Sequence, residues 1–153
     1  GAGRLSLRAV GTYLHHYDII SPVGAPIRQA NSGNINTGYN PRWLGSLNAD
    51  YRNGPLSIGI QERFIGAMRR VTPPTTIDNN HMPATFYTNF RLGYRFSEVR
   101  GSPELYLTVD NVFDQQPRIT ETSGGAGALF VVTNASLYDT IGRFFTVGIR
   151  AGF

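Results

Sequence analysis

The chain has 153 residues, enough for one ordinary domain. It contains no cysteine, which excludes disulfides, a thiol nucleophile and cysteine metal sites, and all 14 of its basic side chains are arginine. The net charge is +4, but the arginines are spread from Arg4 to Arg150, so the chain does not read as a nucleic-acid binder, and no stretch approaches the roughly 18 apolar residues of a transmembrane helix.

Residues 1–3 read Gly-Ala-Gly with no apolar leader, as in a fragment or a processed chain. The first predicted strand covers about 4–17, with Leu5, Leu7, Ala9, Gly11 and Tyr13 on one face. The second covers about 41–52 (Trp43, Gly45, Leu47, Ala49, Tyr51) and the third about 56–67 (Leu56, Ile58, Ile60, Phe64). The fourth covers about 85–96 (Phe86, Thr88, Phe90, Leu92, Tyr94, Phe96) and the fifth about 104–114 (Leu105, Leu107, Val109, Phe113). The closing strand covers 142–153, with Phe145, Val147, Ile149, Ala151 and Phe153 on its apolar side. Each is long enough for a tilted bilayer crossing, which takes about 9–11 residues.

The connections alternate too. Asn53-Gly54-Pro55 and Ser97–Pro103 are short; 18–40, 68–84 and 115–141 are long and rich in Gly, Pro, Asn, Thr and Ser, and read as loops. Short turns at one end and long loops at the other are the pattern of outer-membrane barrels. Arg4, Arg8, Arg42, Arg52, Arg63, Arg91, Arg95 and Arg150 fall opposite the apolar positions, as do Asp50, Glu104 and Asp110. Glu62 and Arg143 are the exceptions, placed near the outer rim. A slip of one residue would turn the whole charged set into lipid, so the register is strongly specified. Tyr13, Trp43, Phe64, Phe86, Phe113 and Phe145 gather toward the long-loop end, and Tyr51, Tyr94, Phe96 and Phe153 toward the short-turn end. Two aromatic belts fit two membrane–water interfaces. The expected fold is all-β: an antiparallel up-and-down meander of about six long strands belonging to a transmembrane β-barrel. The alternative is a soluble secreted all-β carbohydrate-binding module, in which Phe90, Leu92 and Leu107 lie buried between two sheets.

Two motifs sharpen the reading. Leu107-Thr108-Val109-Asp110-Asn111-Val112-Phe113-Asp114 resembles the v-x-N-L-F-D stretch near the end of TonB-dependent receptors. Tyr138-Asp139-Thr140-Ile141-Gly142-Arg143-Phe144-Phe145 resembles their Y-x-x-x-G-R-x-[FY] lead into the last strand, and terminal Phe153 completes the series. The resemblance covers 104–153 best. It implies that 1–153 is the C-terminal segment of such a receptor barrel, of about 22 strands with a plugged lumen, the plug domain and earlier strands lying upstream. It further implies a bacterial outer-membrane transporter, not an enzyme, that takes up a scarce small-molecule substrate. In this family the substrate is most often a ferric-siderophore, and the energy comes from the TonB system. Phe153 would then be the signal read by the barrel-assembly machinery. Asn111–Asp114 and Gly142-Arg143 read as strand-end elements rather than ligand sites.

Arg8, Arg42, Arg63, Arg91, Arg95 and Arg150 are expected to face the lumen and its plug. Arg28, Tyr39, Arg69, Arg70 and His81 are the candidate substrate residues of the long loops, with Tyr39, Trp43 and Tyr87 as a sugar-stacking alternative. His15, His16, Asp18, Asp78 and His81 could surround a metal, but adjacent histidines on a strand point to opposite faces, so they read as rim residues. No cofactor and no metal site are expected; no Ser-His-Asp order, phosphate loop or zinc motif is present.

Overall fold

The computed structural model describes residues 2–20, 22, 27–28, 32–34, 38–69, 79–123 and 129–152. Fourteen strands and no helix occur among them. In chain order they are β1 (Arg4–Tyr13), β2 (Asp18–Ile19), β3 (Ile27–Arg28), β4 (Ser32–Asn34), β5 (Gly38–Asn40), β6 (Trp43–Asn53), β7 (Leu56–Ile65), β8 (Met68–Arg69), β9 (His81–Met82), β10 (Thr85–Arg95), β11 (Glu104–Asp110), β12 (Thr120–Ser123), β13 (Leu129–Val132) and β14 (Phe144–Arg150).

The six long strands form one antiparallel sheet in the order β1-β6-β7-β10-β11-β14, a meander in which each pairs with the next. All six predicted segments are present, most of them trimmed, with β6 running one residue further than expected, to Asn53. The sheet does not close: β1 and β14 are its edges. The tight turn between β6 and β7 is Gly54-Pro55. Gly54 sits at φ +55, the positive φ that a two-residue hairpin loop demands of its first position. The β10–β11 turn closes with Phe96 N–H donating to the Pro103 carbonyl at 2.8 Å.

The three long connections are more ordered than expected. The first holds the β2–β3 hairpin and the third the β12–β13 hairpin. A four-stranded sheet, β5-β4-β8-β9, ties the first connection to the second, through a parallel Ser32–Arg69 pairing. Strands of two or three residues leave too little alternation to read from sequence.

Cross-strand register fixes the two faces of the main sheet. Leu7 pairs with Ala49, Ala49 with Ile60, Ile60 with Phe90, Phe90 with Val109 and Val109 with Phe145. One residue away, Arg8 pairs with Asn48, Asn48 with Gln61 and Gln61 with Asn89. Each strand therefore sends most of its apolar residues to one side and most of its charged residues to the other, as the alternation predicts.

The apolar face is uncovered. Leu7 is 65 % exposed, Val147 70 % and Ile149 73 %. Phe90, Leu92 and Leu107 are half-buried by their strand neighbours alone, and among the described residues no second sheet lies over them. The two-sheet sandwich expectation is not met on this face. Rings gather at both of its ends: Tyr13 with Trp43 (centroids 4.5 Å apart) and Phe64 with Phe86 (4.9 Å) toward the long connections, Tyr94 with Phe96 (5.0 Å) toward the short turns. Glu62 lies on this face just below the Phe64–Phe86 pair, where Thr88 Oγ1 donates to its carboxylate at 2.5 Å.

The buried core is small and lies on the opposite face. Ile65, Met68, Met82, Tyr87 and Tyr138 cluster at the long-loop end, with Leu44 and Leu137 against them. Leu44 and Ile65 occupy charged-face positions. There the face turns apolar because β8, β9 and the 134–142 segment fold over it.

Candidate functional site

Among the concavities of the charged face, two stand at its opposite ends. At the short-turn end a cavity of about 340 Å³ is lined by Asp50, Arg52, Arg91, Arg95, Glu104 and Arg150. Four guanidiniums meet two carboxylates there, and the one close pair is Arg95–Glu104 at 3.6 Å. Arg91 and Arg150 instead flank the Tyr106 ring, at 6.0 and 5.9 Å from its centroid. Cations over an aromatic face are favoured by its quadrupole. Glycines make room for this layer: a Cβ on Gly148 would collide with the Tyr106 phenol, and one on Gly93 would lie 2.5 Å from Ser57 Oγ. Tyr106 thus lies flat across β14.

At the other end the two C-terminal motifs meet. Asn111, directly after β11, is 1 % exposed and sits at φ +50. Asparagine tolerates this left-handed conformation better than most residues. Its Nδ2 donates to the Gln115 carbonyl at 3.1 Å and to Asp139 Oδ2 at 3.0 Å, while its Oδ1 accepts from Gln115 N–H at 2.8 Å. Its own N–H donates to Asn89 Oδ1 at 2.9 Å. Asp139 Oδ1 accepts from the N–H groups of Ile141 (2.9 Å) and Gly142 (3.4 Å). Asp114, at φ +52, accepts from Arg143 N–H at 3.0 Å, and a Cβ on Gly142 would lie 2.8 Å from that carboxylate. Asn111–Asp114 and Asp139–Arg143 therefore form one interlocked turn that aims the chain into β14. The sequence marks both as strand-end elements; only the structure shows that each satisfies the other's polar groups.

Beside this knot a second cavity, of about 450 Å³, is lined by Gln61, Arg63, Tyr87, Asn89, Asp110, Asp139, Ile141 and Phe144 among others. Arg63 lies over the Tyr87 ring at 4.8 Å, and its Nη1 donates to the Leu137 carbonyl at 3.1 Å. Tyr87 is 3 % exposed, and its buried hydroxyl lies beside the Asp139 backbone amide. An amide relay crosses three strands below it: Asn89 Nδ2 donates to Gln61 Oε1 (3.3 Å) and Gln61 Nε2 to Asn48 Oδ1 (3.0 Å).

Arg8, Arg63, Arg91, Arg95 and Arg150 all fall on the charged face, by register. Arg42 is exposed just before β6, where its carbonyl accepts from Leu14 N–H at 2.8 Å. Arg91, Arg95 and Arg150 share the first cavity, Arg63 lines the second, and Arg8, on β1, lines a separate one with Asn48, Asp50 and Gln61.

The small outer sheet brings three loop candidates together. Tyr39 pairs with Gly33 in the β5–β4 ladder, and Arg69 pairs with both Ser32 and His81. Arg28 lies on the separate β2–β3 hairpin, opposite Asp18. Arg70, Asp78 and Phe153 lie outside the described residues. Trp43 and Tyr87 do not share one sugar site. Trp43 stands on the apolar face against Tyr13, whereas Tyr87 is buried on the other face beneath Arg63. His16 Nε2 meets Asp18 Oδ2 at 2.7 Å, and among the described residues no group of three potential ligands gathers around a metal position.

The sequence reading passed over Asn89, Tyr106 and Phe144. Phe144 carries a detectable signal, an aromatic residue in a charged-face register beside Phe145. Tyr106 and Asn89 carry none, because their roles depend on neighbouring strands. Compared with family models, curated proteins and solved structures, the chain finds no match.

Proposed function

We propose that this sheet is the C-terminal portion of the β-barrel of a TonB-dependent receptor in a bacterial outer membrane. The protein takes up a scarce small-molecule solute, most often a ferric-siderophore in that family, and is a transporter rather than an enzyme. The observation that carries this reading is the uncovered apolar face with rings at both ends and a charged face behind it. Contiguous exposed apolar surface of this extent marks a membrane or partner contact. Lipid supplies the cover, and the aromatic rings sit at its two interfaces.

The open edges of β1 and β14 support the same reading. Unpaired edges are not tolerated in lipid, so further strands complete the barrel, about 22 in all. In this arrangement the arginine layer around Tyr106 faces the plug domain. The sheet bearing Tyr39, Arg69 and His81, with Arg28 and Arg70, meets the solute outside. Phe153 is read by the assembly machinery.

The test is fractionation of cells producing the full-length protein, followed by gel mobility with and without heating, and by solute uptake with and without the inner-membrane energy supply. Outer-membrane location, a heat-dependent mobility shift and energy-dependent uptake are expected. A chain that is folded and soluble without detergent refutes the reading.

A further inference from the structure

We infer that the outer cavity of the charged face is a subsite for an uncharged, hydroxyl-rich ring of sugar type, held by Phe144, Asp110 and Tyr87. The outer-membrane reading enters only in setting which way this face points. The starting observation is a misplaced aromatic. Phe144 occupies a charged-face position on β14 yet is 54 % exposed, with its ring lining the cavity. Asp110 is its direct cross-strand partner. Side chains so paired are about 4.5–5.5 Å apart at Cβ, so a carboxylate stands beside an open aromatic face. That combination suits a ring whose C–H face stacks while its edge hydroxyls donate.

The surrounding polar groups sort into spent and free. Asp139 is committed to Asn111, Ile141 and Gly142. Asn89 and Gln61 are committed to the amide relay. The Asp110 carboxylate makes no hydrogen bond or ion pair with the described residues, and it accepts only. The Tyr87 hydroxyl is buried beside the Asp139 backbone amide, with its own proton left to donate. Such a group is costly to leave unsatisfied, and a ligand hydroxyl satisfies it.

Charge excludes the anionic alternative. One arginine, Arg63, stands against two carboxylates, Asp110 and Asp139, so the lining is net negative. Anionic solutes are disfavoured here, in contrast to the four-arginine cavity at the opposite end. The volume of about 450 Å³ lies within the usual range for small-molecule sites, about 300–1,000 Å³.

The experiment measures equilibrium binding to membranes from cells producing the full-length protein. The probes are neutral mono- and disaccharides, among them glucose, maltose, cellobiose and sucrose. Maltobionate serves as the size-matched anion. At least one neutral sugar binds, more tightly than maltobionate. Phe144→Ala and Asp110→Asn each weaken it at least tenfold, Tyr87→Phe weakens it severalfold, and Glu98→Ala in the exposed β10–β11 turn leaves it unchanged. Heat-dependent gel mobility verifies that each variant is folded. The inference is overturned if no neutral sugar binds, if maltobionate binds better, or if Phe144→Ala and Asp110→Asn bind as the parent does. Any of these with membrane location and energy-dependent uptake intact leaves the receptor reading standing and removes only the subsite.

Discussion

Asn111→Ala tests whether the interlocked turn, rather than strand pairing alone, holds the last strand in place. The substitution removes three side-chain hydrogen bonds, one of them to the Asp139 carboxylate. Neutral bonds contribute about 0.5–1.5 kcal/mol net and those to charged groups about 1.5–3. It also leaves alanine at φ +50, where the left-handed conformation costs about 1–2 kcal/mol. Water reaching Asp139 and Gln115 offsets part of the loss, so the expected destabilisation is about 3–5 kcal/mol. Asn111→Gly removes the same bonds but relieves the backbone, and should be about 1 kcal/mol less damaging than alanine. Asn111→Asp keeps shape and backbone but aims an oxygen at Asp139 Oδ2. It should be as damaging as alanine, because two carboxylates then face each other where a donor met an acceptor. The assay is denaturant unfolding in detergent, followed by emission of Trp43, the chain's single tryptophan, and by gel mobility. A loss under about 1 kcal/mol for alanine, or an aspartate variant as stable as the parent, refutes the account.

Gly148→Ala should destabilise by about 1–3 kcal/mol through overpacking against Tyr106, and a double-mutant cycle with Tyr106→Ala should show the two losses to be strongly non-additive. Leu47→Arg, on the apolar face, should cost about 2–4 kcal/mol and lower the assembled level, whereas Asn48→Arg, one residue on and on the charged face, should fold normally; equal effects would remove the lipid-facing assignment. Deleting Phe153, or Phe153→Asp, should reduce the receptor found in outer-membrane fractions while uptake per assembled receptor is unchanged. Phe153→Tyr should be nearly silent, because the ring remains an interfacial anchor.

The legible part of the fold was the part written in period two. Leu5, Leu7 and Ala9, or Phe90, Leu92 and Tyr94, declare a face without reference to any other strand, because side chains alternate across a strand by geometry. The arginines reinforced that register, and the turn at Gly54-Pro55 announced itself through glycine's positive φ. The long connections were not legible. Met68 pairs with Met82 and Arg69 with His81 across segments too short to alternate, and both methionines are 1 % exposed in a core that no periodicity outlines.

The candidate sites divide along the same line. That Arg63, Arg91, Arg95 and Arg150 share a face follows from counting by twos along each strand. That Arg91 and Arg150 flank Tyr106 over Gly148, while Arg63 covers Tyr87 at the far end, depends on pairing between strands distant in the chain. The same holds for the two C-terminal motifs, whose residues Asn111 and Asp139 are neighbours only because β11 and β14 are. The sequence alone determined the strands, their two faces and the end of the sheet that bears the turns, since each is a local property of alternation and turn chemistry. Tertiary structure alone decided which polar groups satisfy one another and which, like the Asp110 carboxylate, are left open, since a hydrogen bond across strands needs a register that no single strand contains.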